Sequence, residues 1–530
     1  MLKYIIFSAL FLSNSSVFSQ SDAEKRNIDK LITAYSAITN LYVDKVDNPK
    51  IVENAILGIL EKLDPHSSYT NAEETRKMNE PLEGNFDGVG IQFNMLTDTL
   101  YVIQVISGGP SEKVGILAGD RIIMVDDSLI AGVKKSSNEV VKMLRGKKGT
   151  VVRVKVKRDN MPDLIEFKIT RDKIPVYSID ASYMADKKTG YIRLSRFAVS
   201  SIEEFEKAVT SLKKQGMENL ILDLQSNSGG YLNIACDLTD EFLSKDKLIV
   251  YTKGNSQFRQ NIATAKGMFE EGKLVIMLDE YSASASEILA GAIQDWDRGV
   301  LTGRRTFGKG LVQHPLILSD SSMIRLTVAR YYTPSGRNIQ KPYENGNLYA
   351  YNHDFTDRYN RGELTNADSI HFPDSLKFHT LVSKRTVYGG GGIMPDIFIP
   401  IDTTRTTDYH SKLVRQGIIY KLAMNHIDKN RKEMNAKYTD FKKFNDNFFI
   451  TKDILQTMKE MAAEEKIEFD EEQFNQSKNL ISLQIKALIA RDLFDISEYY
   501  QVINKENDTY QKALEIINND KVYGEILGNQ

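Results

Sequence analysis

The sequence predicts a multidomain α/β (α+β) protein with helical regions at both ends. Strand-like and helix-like segments alternate over residues 173–404, which is typical of βαβ units and of a sheet that is at least partly parallel. Short β-rich runs separated by turns fill residues 82–172. Apolar residues recur at three- and four-residue steps in residues 20–81 and 405–530, which predicts helices in both regions.

The composition excludes several classes of protein. The 530 residues include 69 Lys plus Arg and 71 Asp plus Glu, so the basic surplus of a general nucleic-acid binder is absent. Hydrophobic residues make up 41%, which excludes a wholly disordered chain. The single cysteine, Cys236, excludes an intramolecular disulfide framework and a cysteine-cluster metal site, and no metal site is expected.

Residues 1–19 have the pattern of a cleaved signal peptide. Lys3 supplies a positive charge, residues 4–12 are apolar, and small or polar residues follow. Val17 and Ser19 fit the positions before a cleavage site, which predicts cleavage after Ser19. The apolar run is far shorter than the roughly 20 residues that span a bilayer. We therefore expect an exported protein, periplasmic or associated with the cell envelope, with no stable membrane span.

Each later region has its own predicted elements. Residues 20–81 contain two helical runs, and Asn48-Pro49 opens the second. In residues 82–172 the predicted strands are 90–93, 100–106, 121–125, 151–156 and 165–170, with a helix at 137–144. In residues 173–404 the predicted strands are 190–194, 220–224 and 274–278, and the helices are 201–215, 231–243 and 284–296. Residues 341–388 are weakly periodic and are expected to be an insertion into this core.

A glycine-containing loop, GNFDGVGIQF, precedes the first strand of the β-rich region. Backbone N–H groups of such a loop can capture a peptide carboxylate, and the strand edge that follows can pair with an extended peptide. The alternative is a plain hairpin turn. The loop alone does not decide between the two.

The segment KLVIMLDEYSASASEILAGAIQDW carries small residues between a strand and a helix. A serine at a helix N-terminus lies beside unpaired N–H donors and the positive end of the helix dipole, and those donors can stabilise an oxyanion. Ser282, Ser284 and Ser286 all fall in this run. The alternative is helix capping alone, because Ser284 and Glu287 have the spacing of a capping box.

Two further segments contain candidate catalytic groups. Lys309 lies in the uncharged stretch FGKGLVQ, where desolvation would lower its pKa toward the neutral form that a base requires; the alternative is a surface lysine. The strand-to-helix turn in LILDLQSNSGGYL contains Gly229 and Gly230, either of which can aim a backbone N–H at a substrate carbonyl. The alternative there is a simple turn, since the segment lacks the Walker A pattern.

Seven segments, taken in order, resemble the C-terminal processing proteases, also called tail-specific proteases. They are LDPHSSYT, GVGIQF with ISGGPSEKVGILAGDRIIMVDD, GYIRLSRF, LILDLQSNSGGYL, SASASEILAGAIQD, TFGKGLVQ, and LTVARYYTPSGRNIQ with GGIMPDI. Each segment is weakly specific, but their order over residues 30–400 is specific. The resemblance implies a crotonase- or ClpP-like protease core at 173–404 with an inserted PDZ domain at 82–172.

The resemblance also implies roles for individual residues. The implied catalytic residues are Ser284 as nucleophile, Lys309 as general base and Gln313, which orients the lysine. The implied oxyanion donors are the backbone N–H groups of Gly229 and Ala285, with Gly230 as the second choice. The implied peptide-binding loop of the PDZ domain consists of Gly88, Val89, Gly90 and Ile91. No metal or organic cofactor is implied.

One segment departs from the family pattern. Where the family often has Arg-Asn-Asn-Pro-Gly-Gly, residues 225–230 read Gln-Ser-Asn-Ser-Gly-Gly. We expect the missing Arg and Pro to change the stiffness of the loop more than its chemistry, because both glycines remain. The helical residues 405–530 lie outside the shared core, so the resemblance implies no role for them.

The expected function is that of an exported serine endopeptidase that recognises protein or peptide substrates by apolar C-termini. In the family the PDZ domain binds the tail and gates activity. An adaptor protein and a second copy of the chain are candidate partners. One alternative is a non-catalytic PDZ-containing peptide-binding protein on the same fold. Another is an acyl-CoA-type enzyme, which the signal peptide argues against because coenzyme A is cytoplasmic.

Overall fold

The computed structural model describes residues 22–96, 98–158, 161–255, 257–265 and 267–528, so the predicted signal peptide lies outside the described residues. The chain divides into two units, residues 1–63 and 64–530. The first unit contains helices α1 (Asp22–Leu41) and α2 (Asn48–Leu60). Asp47 caps α2 by accepting the Lys50 N–H at 3.2 Å, and Pro49 occupies the first turn, where no N–H is needed.

The second unit begins with a strand and a helix and continues into an antiparallel β-rich module. Its elements are β1 (Ser68–Thr70), α3 (Ala72–Glu83), β2 (Asn85–Gly88), β3 (Ile91–Leu96), β4 (Thr99–Val105), α4 (Pro110–Lys113), β5 (Arg121–Val125), β6 (Ser128–Leu129), α5 (Ser137–Leu144), β7 (Val151–Lys157), β8 (Ile165–Thr170) and β9 (Asp172–Pro175). The strand order is β3-β4-β5-β7-β8, β6 pairs with β5, and β2 pairs with β9. The predicted helix 137–144 is α5, and Ser136 with Glu139 forms its capping box.

The central part of the second unit alternates strands and helices. Its elements are β10 (Ile179–Met184), β11 (Thr189–Leu194), α6 (Ser201–Lys214), β12 (Asn219–Asp223), α7 (Leu232–Asp240), β13 (Leu248–Gly254), β14 (Phe258–Ile262), β15 (Leu274–Leu278), α8 (Ala285–Asp295), β16 (Val300–Gly303), β17 (Leu311–Ile317) and β18 (Met323–Tyr332). A second, five-stranded antiparallel sheet has the order β1-β18-β13-β14, with β17 also pairing with β18.

Residues 341–388 are folded and not merely irregular. They contain α9 (Leu348–Asn360), 3-10 turns at Ala367–Ser369 and Asp374–Leu376, and a hairpin of β19 (Lys377–His379) with β20 (Thr386–Tyr388). The following strand, β21 (Ile397–Phe398), pairs in parallel with β16. This completes a six-stranded sheet of order β10-β11-β12-β15-β16-β21, in which only the β10–β11 pair is antiparallel.

The C-terminal region is helical. Its elements are α10 (Asp408–Arg415), α11 (Ile418–Lys437), α12 (Phe441–Asn447), α13 (Lys452–Glu464), α14 (Glu471–Leu493), α15 (Ile496–Ile503), a 3-10 turn (Asn504–Glu506), α16 (Asp508–Ile517) and α17 (Asp520–Ile526). Helices α10 to α15 enclose a hydrophobic core of their own. Among the described residues, no helix has both the length and the apolar character to cross a membrane.

Helices cover both faces of the six-stranded sheet. Ile276 points to one face, where α6, α7 and α8 pack, while its neighbours Val275 and Met277 point to the other. That second face is covered by α16 and α17 through Tyr510, Ile516 and similar residues. A sheet buried on both faces requires strands that are apolar throughout, and β15 is buried at every position. The predicted α/β class with helical regions at both ends is confirmed.

Candidate active site

The loops after two neighbouring parallel strands meet at one edge of the sheet. One follows β12 and contains residues 224–231, and the other follows β15 and leads into α8. The Asp279 side chain joins the two loops, because it accepts the N–H of Ser226 at 2.9 Å and the N–H of Ser282 at 3.0 Å. In open α/β sheets, sites form at such carboxyl ends of strands.

Ser284 immediately precedes α8 with a strained backbone. Its φ is 54° and its ψ is −110°, outside the left-handed region that a non-glycine residue tolerates best. Such strain costs of order 1–3 kcal/mol and is typical of functional sites. The side chain of Ser284 lines a cavity, whereas Ser282 and Ser286 are fully buried. Their hydroxyl groups donate to Leu224 O at 2.8 Å and Asn227 O at 2.9 Å.

Lys309 lies in the same cavity in a largely buried position. Its Nζ donates to Gln313 Oε1 at 2.9 Å, and Gln313 Nε2 in turn donates to the carbonyl oxygen of His66. Burial, together with the positive charge of Arg325, lowers the pKa of Lys309 to about 8. Roughly a tenth of the lysine is therefore neutral at pH 7 and can accept a proton, and this fraction grows as the pH rises.

The buried carboxylate of Glu287 connects the two segments. Its Oε2 accepts the backbone N–H of Ser284 at 2.8 Å and of Lys309 at 2.9 Å. Its Oε1 accepts the Gly308 N–H at 2.7 Å and the Thr306 hydroxyl at 2.5 Å. Burial raises the pKa of Glu287, although these hydrogen bonds oppose that effect. The capping-box spacing predicts the contact with Ser284, but no sequence signal predicts the contact with Lys309.

Two glycines and the start of α8 border the cavity beside Ser284. Gly229 lies so close that a Cβ atom on it would be 3.0 Å from both Ser284 Cβ and Ala285 N. Its own N–H donates to Asn227 Oδ1 at 2.9 Å. The N–H groups of Gly230 and Ala285 make no hydrogen bond within the described part of the chain, and the Ala285 N–H belongs to the first turn of a helix.

The cavity is a cleft of about 570 Å³. It brings together the predicted residues Ser284, Lys309, Gln313 and Gly229, with Ala285 buried directly behind Ser284. Its walls are largely apolar; among the residues that line it are Met78, Leu82, Leu232, Ile288 and Leu311. A nucleophile, a base of lowered pKa and backbone donors in a cleft of this kind suit acyl transfer.

His66 and the segment after residue 341 also support the site. His66 Nε2 and Tyr351 Oη are hydrogen-bonded at 2.6 Å. Burial, with the charge of Lys309, lowers the pKa of His66 to about 4, so its ring is neutral near neutral pH. Tyr351 belongs to α9 in the predicted insertion, and no sequence pattern links it to His66, which is 285 residues away.

The four predicted peptide-binding residues lie together in a second groove, in the β-rich module. The groove has a volume of about 410 Å³, and Gly88, Val89, Gly90 and Ile91 line it with side chains of α5. Strand β3 is at the edge of its sheet, with β4 on only one side. An edge strand beside a helix and a glycine-containing loop can accept an extended peptide as an additional strand.

No cluster of three or more His, Cys, Asp or Glu suited to a metal ion occurs among the described residues.

Family models match four parts of the chain. Residues 188–345 match Peptidase family S41, residues 88–169 a PDZ domain, and residues 10–75 the N-terminal domain of the activating protease CtpB. Residues 409–495 match a family of unknown function. The Peptidase family S41 match lies within residues 173–404 and the PDZ match within residues 82–172, while the segment GGIMPDI lies beyond both matches.

Curated proteins match over most of their lengths. The carboxy-terminal-processing protease of Bartonella bacilliformis is 34% identical over 355 residues, which cover 64% of this chain and 81% of that protein. The carboxy-terminal processing protease CtpB of Bacillus subtilis is 33% identical over 327 residues, 61% of this chain and 68% of that protein. A solved structure, the photosystem II D1 C-terminal processing protease, is 29% identical over 58% of this chain and 89% of that one, with a TM-score of 0.33.

Proposed function

The chain belongs to the carboxy-terminal processing proteases of peptidase family S41, and on that premise we propose that it cleaves protein substrates with a Ser284–Lys309 dyad. The observation that carries the proposal is the shared cleft, which Ser284 and a lysine whose pKa is about 8 both line. A Ser–Lys pair needs no third charged residue, because the neutral amine itself accepts the proton of the hydroxyl group.

The reaction follows from these groups. Neutral Lys309 accepts the proton of the Ser284 hydroxyl as its oxygen attacks the scissile carbonyl, and a tetrahedral intermediate forms. The intermediate collapses to an acyl-enzyme, and the protonated lysine gives its proton to the leaving amine. Water, deprotonated by the same lysine, then releases the acyl group. Gln313 holds the lysine Nζ at 2.9 Å and is itself fixed by His66, which keeps the base in position.

The oxyanion of the intermediate needs backbone donors on the cleft side of Ser284. We propose the N–H groups of Ala285 and Gly229, with Gly230 as the second candidate. The adjacency of Gly229 to Ser284 supports it, whereas its hydrogen bond to Asn227 competes for the same N–H. Gly230 has no such competitor among the described residues, which supports it as the alternative donor.

The PDZ groove is proposed to bind the C-terminal tail of the substrate and to control activity. Arg145 lines the groove and forms an ion pair with Glu80 of α3. The neighbours of Glu80 on that helix, Met78, Pro81 and Leu82, line the catalytic cleft. One short helix thus lines the cleft and also pairs with a residue that lines the groove, which supports a coupling between tail binding and the shape of the cleft.

Export, an adaptor and self-association remain proposals from the sequence. Export with cleavage after Ser19 is tested by the N-terminal sequence of the protein recovered from a cell-envelope fraction. Self-association is tested by the mass in solution of the mature chain with and without residues 405–530. An unchanged mass would count against a role of those helices in assembly.

The proposed function is tested with the mature chain and an unfolded protein that ends in an apolar tail. A matched substrate with a charged tail is the control for recognition by the PDZ domain. We expect preferred cleavage of the apolar-tailed substrate and labelling of Ser284 by a serine-directed fluorophosphonate. A folded chain that neither cleaves nor reacts with the probe would instead support the non-catalytic binding protein.

A further inference from the structure

The catalytic cleft carries positive charges and no negative ones. Among the described residues that line it, the ionisable groups include Arg196, Lys309 and Arg325, and none is Asp or Glu. Lys309 loses its charge as the pH rises through its pKa of about 8, which leaves the two arginines as cations that line the cleft. A cleft lined by charges of one sign attracts ligands of the opposite sign.

Arg325 lines the cleft. It is a residue of β18, opposite Ser68 of β1 on one side and opposite Pro315 of β17 on the other. Pro315 also lines the cleft, and the charge of Arg325 lowers the pKa of Lys309, so the guanidinium lies within electrostatic reach of the catalytic lysine. Arg325 and Ser284 thus line the same cleft.

Arg325 is partly buried, and its charge acts on Tyr231 of the same cleft. Its side chain makes neither an ion pair nor a hydrogen bond within the described part of the chain, and burial lowers its pKa. Three largely buried arginines of the same unit pair with carboxylates: Arg304 with Glu280 at 2.6 Å, Arg337 with Asp295 at 2.7 Å and Arg193 with Asp223 at 2.5 Å. Buried Arg171 donates instead to uncharged oxygen atoms. Arg325 has neither kind of hydrogen-bond acceptor among the described residues, and a carboxylate is a partner that the guanidinium geometry fits.

Arg196 is less suited to this task. It also lines the cleft without an ion pair among the described residues, but its positive charge acts to lower the pKa of Asp180. Asp180 is itself close to Arg193, at 3.7 Å. Within the described part of the chain no carboxylate is seen to act on Arg325, whereas Arg196 acts on Asp180.

We propose that Arg325 binds a carboxylate of the substrate close to the scissile bond, so that the peptidase favours a substrate with an anionic group at that subsite. The proposal rests on the proposed function and adds a specificity to it. The carboxylate belongs either to an Asp or Glu side chain or to the free C-terminus of a short tail. The apolar walls of the cleft would contact the neighbouring substrate residues.

The test uses internally quenched peptides with blocked ends, so that the PDZ domain has no free carboxylate to bind. The two peptides of each pair differ only in having Glu or Gln at one position. The pairs cover three positions on each side of the scissile bond. We expect kcat/KM to favour Glu at least fivefold at one position in the wild-type chain. The preference should disappear in Arg325→Gln and persist in part in Arg325→Lys. Arg330→Gln, an exposed arginine on the same strand outside the cleft, should retain it.

A second set of peptides separates the two sources of the carboxylate. Peptides with a free C-terminus are compared with their amides, at increasing distances from the bond. A preference for the free acid that depends on Arg325 assigns the subsite to the terminus, and a preference for Glu assigns it to a side chain. Glu/Gln and acid/amide ratios all within twofold in the wild type would overturn the proposal. A preference that survives in Arg325→Gln would also overturn it.

Two further measurements keep the outcome decisive. Peptide affinities of the Ser284→Ala chain report the Arg325 interaction without catalysis. A wild-type chain that cleaves nothing therefore contradicts the proposed function, while equal affinities for Glu and Gln peptides contradict this inference. If Arg325→Gln does not fold, the salt dependence of the wild-type preference for the carboxylate decides. This preference should weaken between about 0.05 and 0.5 M NaCl, and a preference that stays constant contradicts the inference.

Discussion

The carboxylate of Glu287 accepts the backbone N–H of Lys309 at 2.9 Å through the same oxygen that accepts the backbone N–H of Ser284. The proposed nucleophile and base come from segments 25 residues apart, and one buried side chain fixes the main chain of both. The proposed dyad therefore depends on a buried side chain that is not among those that line the cleft. Glu287 is a positioning residue, and its removal should affect folding and activity together.

Replacing Glu287 with Gln should destabilise the protein. The carboxylate accepts four hydrogen bonds, and an amide would turn an NH2 group toward some of those donors. Leaving buried donors unpaired should lower the free energy of unfolding by about 2–4 kcal/mol. Chemical denaturation measures the change. Glu206→Gln, an exposed residue of α6, is the control and should change stability by less than about 0.5 kcal/mol.

The pH dependence of activity should report the ionisation of Lys309. Only the neutral amine can accept the serine proton, so kcat/KM should rise tenfold per pH unit below the pKa of about 8 and level off above it. The pKa of His66 is lowered to about 4, so this ring does not titrate in the range. Initial rates between pH 6 and 10 measure the profile. A flat profile over that range would exclude a lysine base.

Gln313 can be used to move that profile. Gln313→Glu places a negative charge where Oε1 lies 2.9 Å from the lysine Nζ, which favours the protonated amine. The rising limb should therefore move to higher pH, by roughly one pH unit or more. Gln313→Ala adds no charge; it should lower kcat roughly 10- to 100-fold, with little change in KM, because the lysine is no longer held. A limb that does not move in Gln313→Glu would contradict the contact.

The ion pair between Arg145 and Glu80 should transmit tail binding to the cleft. Glu80→Gln breaks the pair and leaves the PDZ groove intact, because Glu80 does not line it. Binding of a tail peptide should alter kcat of the wild type, and this effect should be lost in Glu80→Gln while the peptide Kd stays nearly constant. Lys148→Gln removes an exposed ion pair within the same module and is the control. Identical regulation in wild type and Glu80→Gln would disprove the coupling.

Much of the fold could be predicted because its signals are local. Strand β15 and helix α5 were expected at the residues where they occur, since the sequence signals of both lie within a short window. Ser284, Lys309 and Gln313 were singled out by the order of motifs along the chain. The structure brings these three residues into one cleft, while their roles stay proposals.

The contacts that no local pattern encodes could not be predicted. Helix α16 covers one face of the central sheet, although more than 200 residues separate it from the neighbouring strand β15. Asn507, just before that helix, donates to Gln225 Oε1 at 3.1 Å and so braces the loop that departs from the family pattern. Such contacts depend on the path of the whole chain. The sequence also does not predict that Arg325 lacks an ion pair among the described residues, because the fold decides which side chains lie near it.

The most direct test of the account is the rate of cleavage of an unfolded, apolar-tailed protein by the mature wild type, Ser284→Ala and Lys309→Ala, with thermal unfolding as the check on folding. The account predicts that both variants fold and that both lose cleavage to background. Cleavage that persists in folded Ser284→Ala would contradict the assignment of the nucleophile. Cleavage that persists in folded Lys309→Ala would contradict the lysine as general base.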